Sequence, residues 1–153
     1  MKLLSSICLA LLLGSAPMVA MADGAKIFKV LPHLLDKNGK HSVAPSLFQR
    51  DAYQSHLRQH PLEVSTQRFD VQWRNAKTHD TPLKLRLHLR LENTKNNAPT
   101  VIDSEVQPTN LFSRWSSVMI PAETYKRLGR VISWQMELLS GEVVVARQKS
   151  FLW

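Results

Sequence analysis

The chain has 153 residues, a formal charge of +8 and a single cysteine, Cys8. That length suits one domain, and one cysteine excludes an internal disulfide framework. The basic balance favours anionic partners such as polysaccharide, lipid headgroup or nucleic acid, although net charge also serves plain solubility.

Residues 1–22 read as an export signal. Lys2 precedes a short apolar run over residues 3–13, Gly14, Ser15 and Pro17 break it, and Ala20-Met21-Ala22 offers the small residues a signal peptidase needs, so cleavage is expected before Asp23. The run is too short to span a bilayer comfortably. Cys8 lies inside it, after Ile7, where lipid attachment is not expected. Residues 23–153 are then expected to be one exported domain, periplasmic or secreted, with no cysteine and no transmembrane segment. At roughly 130 residues such a chain buries about two-thirds of its surface and can hold a core without disulfides. An exported chain lacking disulfides leans toward a bacterial envelope or secreted protein.

In chain order, residues 26–35 are apolar and β-prone, with Pro32 predicting an edge strand or a bulge. Asp36-Lys37-Asn38-Gly39-Lys40 reads as a turn of the kind that closes hairpins. Asp36 and Asn38 have the spacing of a calcium-loop fragment, but the further oxygen ligands and the distal Glu are missing. Residues 46–60 predict an amphipathic helix. Pro45 precedes it, Ser46 with Gln49 offers a capping box, and Pro61 ends it. Its apolar stripe is expected to comprise Phe48, Ala52, Tyr53, His56, Leu57 and His60.

Residues 68–73 alternate, with Phe69, Val71 and Trp73 on one side. After a polar loop comes Leu-Lys-Leu-Arg-Leu-His-Leu-Arg-Leu over residues 83–91, with leucine at every second position and Lys84, Arg86, His88 and Arg90 between. A strand turns that pattern into one leucine face and one basic face. Pairing with residues 68–73 as a hairpin would set Asp70 against the basic face; placement in separate sheets would leave the basic face open. Short strands are expected within residues 101–106 and 112–120, Trp115 counting as core. A helical turn at 122–128 closes on Gly129, and a last hairpin, 131–139 with 142–152, turns at Ser140-Gly141. Ile132, Trp134, Met136 and Leu138 are expected to share one face, and a bulge or exposed stretch is expected near residues 147–149.

Six to eight short strands with one real helix predict a mainly β chain: an antiparallel immunoglobulin-like β-sandwich with one N-terminal amphipathic helix at about 46–60. From Arg68 onward the strand count and order resemble an immunoglobulin-like or fibronectin type III-like domain. Ile120-Pro121 through Tyr125 and Leu128-Gly129 stand where such domains cross between sheets, and Tyr125 resembles a tyrosine corner, although the Cys-Trp-Cys signature is absent. The resemblance covers about two-thirds of the mature chain and implies a fold, not a function. The chain also resembles small exported bacterial proteins.

The chemistry is sparse. His56 and His60, one helical turn apart, form a candidate metal pair needing a third ligand such as Glu63, His33, His41 or His79. Leu57 follows His56, so the His-Glu-x-x-His metalloprotease pattern fails. Asp103 and Glu105 share one side of a strand, as a glycosidase pair would or as a solvated face does. No Gly-x-Ser-x-Gly elbow and no glycine-rich phosphate loop occurs. The ladder Lys84, Arg86, His88 and Arg90 is the candidate anion-binding surface; its structural alternative is a solvent face paired with acids on neighbouring strands, or a charged edge that deters aggregation. The expectation is a non-catalytic exported binding or assembly module without a cofactor. Its partner would be another envelope protein or an anionic polymer, and export argues against nucleic acid. The competing expectation is a small secreted hydrolase or metal-binding protein built on the helix histidines.

Overall fold

The computed structural model describes residues 24–75, 81–94, 98–107 and 112–153. The expected signal and its cleavage point fall outside the described residues, as does His79. Seven strands and two helices are described: β1 (Ala25–Asp36), α1 (Leu47–Gln59), β2 (Val64–Asn75), β3 (Leu83–Leu91), β4 (Thr100–Val106), β5 (Arg114–Met119), α2 (Ala122–Leu128), β6 (Val131–Ser140) and β7 (Val143–Lys149). The chain is mainly β. One sheet has the order β1-β2-β5 and the other β4-β3-β6-β7. Every strand pair is antiparallel. Among the described residues no helix is long and apolar enough to cross a membrane.

The alternation of β3 explains the sandwich. Leu83, Leu85, Leu87, Leu89 and Leu91 are all buried, each 4% exposed or less. They meet Phe69, Val71 and Trp73 of β2 and Val118 of β5 in the core, which Met136 and Leu138 of β6 complete. Burying a leucine stabilises by about 1.5–3 kcal/mol before ordering entropy is charged. Phe69 and Trp134 meet edge-to-face across the two sheets, ring centroids 6.0 Å apart. β2 and β3 therefore lie in different sheets, and Asp70 is not opposite the basic face.

Several local expectations change. Pro32 does sit in an edge strand, where its missing N–H leaves no ladder bond unmade. The turn after Asp36 joins β1 to the α1 segment, not to a second strand. Asp36 Oδ1 accepts the N–H groups of Asn38 and Lys40, each at 2.8 Å, and Gly39 takes the positive φ of 74°. At α1, Ser46 makes no side-chain capping bond. The buried positions of α1 are Gln54 and Leu57, whereas Phe48, Ala52, His56 and His60 are exposed. The helix docks on an edge strand whose backbone needs a polar partner, so an amide faces inward where an apolar stripe was expected.

Trp115 is 48% exposed on the outer face of β5. Its inward neighbour is Ser116, whose Oγ accepts the indole N–H of Trp73 at 3.0 Å. Ile132 is 52% exposed, because the β3–β6 register slips between Arg90 and Leu91 and turns it out of the core. Of the two alternatives near residues 147–149 the exposed stretch holds, with Arg147 and Lys149 exposed; the register shift lies between Leu138 and Leu139, and both Val145 and Ala146 are buried.

Candidate functional site

The ladder occupies the outer face of the four-stranded sheet, and register decides what its charges meet. Arg86 pairs with Asp103 of β4 on one side and with Glu137 of β6 on the other, and Glu137 pairs with Arg147 of β7. The four strands thus present acid, base, acid, base in one row. Arg86 donates from Nε and Nη2 to the two oxygens of Asp103, both at 2.8 Å. This two-point bond holds the Asp103 carboxyl below the usual carboxylate range and raises the Arg86 guanidinium further above neutrality. Lys84 donates to Glu142 at 2.8 Å. The Glu137 side chain, 7% exposed, lies 3.0 Å from His88 Nε2 and accepts from Gln135 and from Arg147 at 2.8 Å. Arg90 lies under the ring of Trp153, 4.5 Å from its centroid, so the C-terminal indole folds back over the end of the ladder. Each ladder residue has a protein partner.

His56 and His60 stack at 4.1 Å between ring centroids. His56 Nε2 lies 2.8 Å from Glu63 Oε2, while His60 Nδ1 lies 2.9 Å from its own helix carbonyl at His56. His33 and His41 stand together elsewhere, 5.0 Å apart by ring centroid. Among the described residues no group of three His, Cys, Asp or Glu side chains has a metal-holding arrangement.

A polar cluster not anticipated from sequence lies on the outer face of the three-stranded sheet. Asp70 Oδ1 accepts from Ser117 at 2.6 Å and Oδ2 from Arg68 at 2.9 Å, with His33 Nε2 at 3.6 Å. Burial pushes the His33 imidazole below its ordinary pKa; Asp70 pulls the other way, and His41, Arg50 and Arg68 reinforce the fall. Ser117 bonds the carboxylate rather than a histidine, so the arrangement lacks the nucleophile–base pair of a serine hydrolase.

A groove was also illegible in the sequence. It measures about 900 Å³ and lies between the C-terminal end of α1, the 3₁₀ turn Pro61–Glu63 and α2. That volume lies within the roughly 300–1,000 Å³ typical of small-molecule sites. Pro61, Leu62, Val64 and Ala122 supply apolar wall, and Lys37, Arg58, Lys126 and Arg130 ring it. Two carboxylates also line it: Glu123, and Glu92, which accepts from Arg130 at 3.2 and 3.3 Å. Lys37, Arg58 and Lys126 make no ion pair with a described residue.

A second cavity of about 380 Å³, walled by Pro32, Leu34, Val131, Ile132 and Leu152, shares Arg58, Tyr125 and Arg130 with the first. Tyr125 is 8% exposed and lines both. Its hydroxyl makes no hydrogen bond to a described residue, so among the described residues it forms no tyrosine corner, and burial raises its pKa. Gly129 makes the tight end of α2 possible. Its φ is 79°, and a Cβ there would stand 3.2 Å from Asn93 Nδ2.

No protein-family model matches the chain, and neither a curated protein nor a solved structure gives a match.

Proposed function

We propose that this chain is a non-catalytic binding module, exported to the periplasm or the extracellular space, that takes an anionic partner in the groove between its two helices. The observation that carries the reading is the contrast between two basic surfaces. On the ladder, Arg86, Lys84 and His88 are matched by Asp103, Glu142 and Glu137, and Arg90 lies under Trp153. In the groove, Lys37, Arg58 and Lys126 surround an apolar floor and no carboxylate of the described chain pairs with them. A cation already bonded to a neighbour must give up that bond to take a ligand; an unpaired one does not.

The scaffold is read as immunoglobulin-like. β1, β2 and β5 divide from β3, β6 and β7 as the A, B and E strands divide from C, F and G, with β4 beside β3 in the C′ position. A Tyr125 hydroxyl without a hydrogen bond to a described residue, and the lack of a cysteine pair, depart from antibody-type domains. Export is supported by the pattern of residues 1–22 and by the absence of cysteine from residues 23–153.

The test is retention on immobilised heparin of residues 23–153 and of two double reversals, Arg58→Glu/Lys126→Glu and Arg86→Glu/Arg90→Glu. Both change net charge equally, so a difference between them reports location. The groove pair is expected to elute at clearly lower salt than the ladder pair. Equal elution, or a larger loss from the ladder pair, would overturn the assignment.

A further inference from the structure

We infer that the groove and the cavity that shares lining residues with it form one site for a monomeric single-chain amphiphile with an anionic head, a carboxylate or phosphate on an alkyl chain. This rests on the reading of the groove as an anionic site and names the ligand class. The two cavities share Arg58, Tyr125 and Arg130 in their linings and differ in the charges that line the rest. On one side stand Lys37 and Lys126, together with Glu123, the Glu92 carboxylate bonded to Arg130, and the apolar wall of Pro61, Leu62, Val64 and Ala122. On the other the walls are Pro32, Leu34, Val131, Ile132 and Leu152, with Gln54 and Gln67 the polar groups there.

A compact anion would use only the cations of the first side, and a plain hydrocarbon would leave them unused. A ligand with a charged head and an apolar tail uses both. The shared lining itself carries the third argument. Tyr125 is nine-tenths buried and lines both cavities, yet its hydroxyl has no hydrogen-bond partner among the described residues. A head-group oxygen held by Arg58 would accept the hydrogen of that hydroxyl. Ile132 adds to this. The slipped register turns it out of the core and onto the tail cavity, where it stays 52% exposed. Covering Ile132 and Leu152, the latter 66% exposed, would supply apolar contact that the free protein lacks.

The experiment is calorimetric titration of residues 23–153 with butyl, hexyl, octyl and decyl phosphate below their aggregation concentrations. Inorganic phosphate and octyl glucoside serve as head-only and neutral-head probes. Affinity is expected to rise about two- to fourfold per methylene, as burial of a methylene implies, with no binding of either control probe. Arg58→Gln and Tyr125→Phe are expected to weaken octyl phosphate about tenfold while leaving the chain-length slope intact. Ile132→Gln, at an exposed position, is expected to flatten the slope. Absence of alkyl phosphate binding, or affinity independent of chain length, would overturn the inference. So would binding to phosphatidylglycerol vesicles without binding of the monomeric amphiphile. If heparin retention still depends on Arg58 and Lys126 in those cases, the anionic groove stands and only the amphiphile falls; if it does not, both fall.

Discussion

The side-chain amide of Gln54 completes the backbone hydrogen bonding of Leu34. Oε1 accepts the Leu34 N–H at 2.8 Å, and Nε2 donates to the Leu34 carbonyl at 2.9 Å and to the His41 carbonyl at 2.9 Å. β1 is an edge strand, and an uncovered edge offers a template for unwanted pairing. One glutamine of α1 stands in for the missing neighbour, and Leu57, fully buried one turn later, holds the helix in place. Gln54→Ala leaves two backbone carbonyls and an N–H without these partners, and is expected to lower unfolding stability by about 1–3 kcal/mol. Hydrogen exchange should show protection lost at Leu34 first. Unchanged stability in denaturant would show that water replaces the amide at no cost.

The leucine face of β3 makes a simpler demand. Leu87 is completely buried at the middle of the central strand. Leu87→Ala should destabilise by about 2–5 kcal/mol through lost contacts and the cavity left behind. Denaturant midpoints measure it, and a loss below 1 kcal/mol would mean that the two sheets close up around the gap.

How much of this was legible in the sequence follows from how local each signal is. Strict alternation over Leu83–Leu91 is a statement about one strand, and it survives intact. The basic face was equally plain, but its partners were not. Asp103 and Glu137 reach it only through the registers of β4 and β6, which depend on the whole sheet. The stripe on α1 misled because Phe48, His56 and His60 satisfy helical spacing while burial follows the edge strand's need for an amide. Trp115 misled because it reads as core by parity, whereas the inward parity of β5 is that of Val118 and of Ser116, which receives the Trp73 indole. The groove could not be read at all. Lys37, Arg58, Lys126 and Arg130 are ordinary surface cations until α1 and α2 bring them together.

Glu137 is the least exposed charge of the ladder row, and its Arg147 partner is about two-fifths exposed. Arg147→Met leaves the carboxylate with His88 and Gln135, so the expected loss is modest, about 1 kcal/mol. Loss of both partners in His88→Ala/Arg147→Met should exceed the sum of the single changes, since each alone leaves Glu137 supported. Additive losses in a double-mutant cycle would contradict a shared network.

His33 sets a pH dependence whose sign is determined. Its folded-state pKa is lowered by burial, so between that value and the unfolded value near 6.5 the unfolded chain binds more protons. The stabilisation from a neutral buried His33 is therefore present above about pH 6.5 and lost as pH falls through and below it. The groups facing it are Asp70, His41, Arg50 and Arg68. The melting temperature should fall from pH 7.5 toward pH 5.5, and His33→Leu should shrink that fall. The Asp36 carboxyl, held down chiefly by the Lys40 N–H and then by the Tyr53 hydroxyl, contributes separately. Its share is lost only as pH drops below the ordinary carboxylate range near 4. An undiminished fall between pH 7.5 and 5.5 in His33→Leu would contradict the assignment.

The central claim is that the unpaired cations between the helices, not the paired ladder, receive the partner. The most direct measurement is the change in backbone amide chemical shifts of residues 23–153 on titration with octyl phosphate and, separately, with a short heparin fragment. The predicted result is a saturating set of shifts at residues 58–65 and 122–132, with residues 84–90 and 101–105 little moved. Shifts centred on Arg86, Asp103 and Glu137 would contradict it and return the site to the ladder.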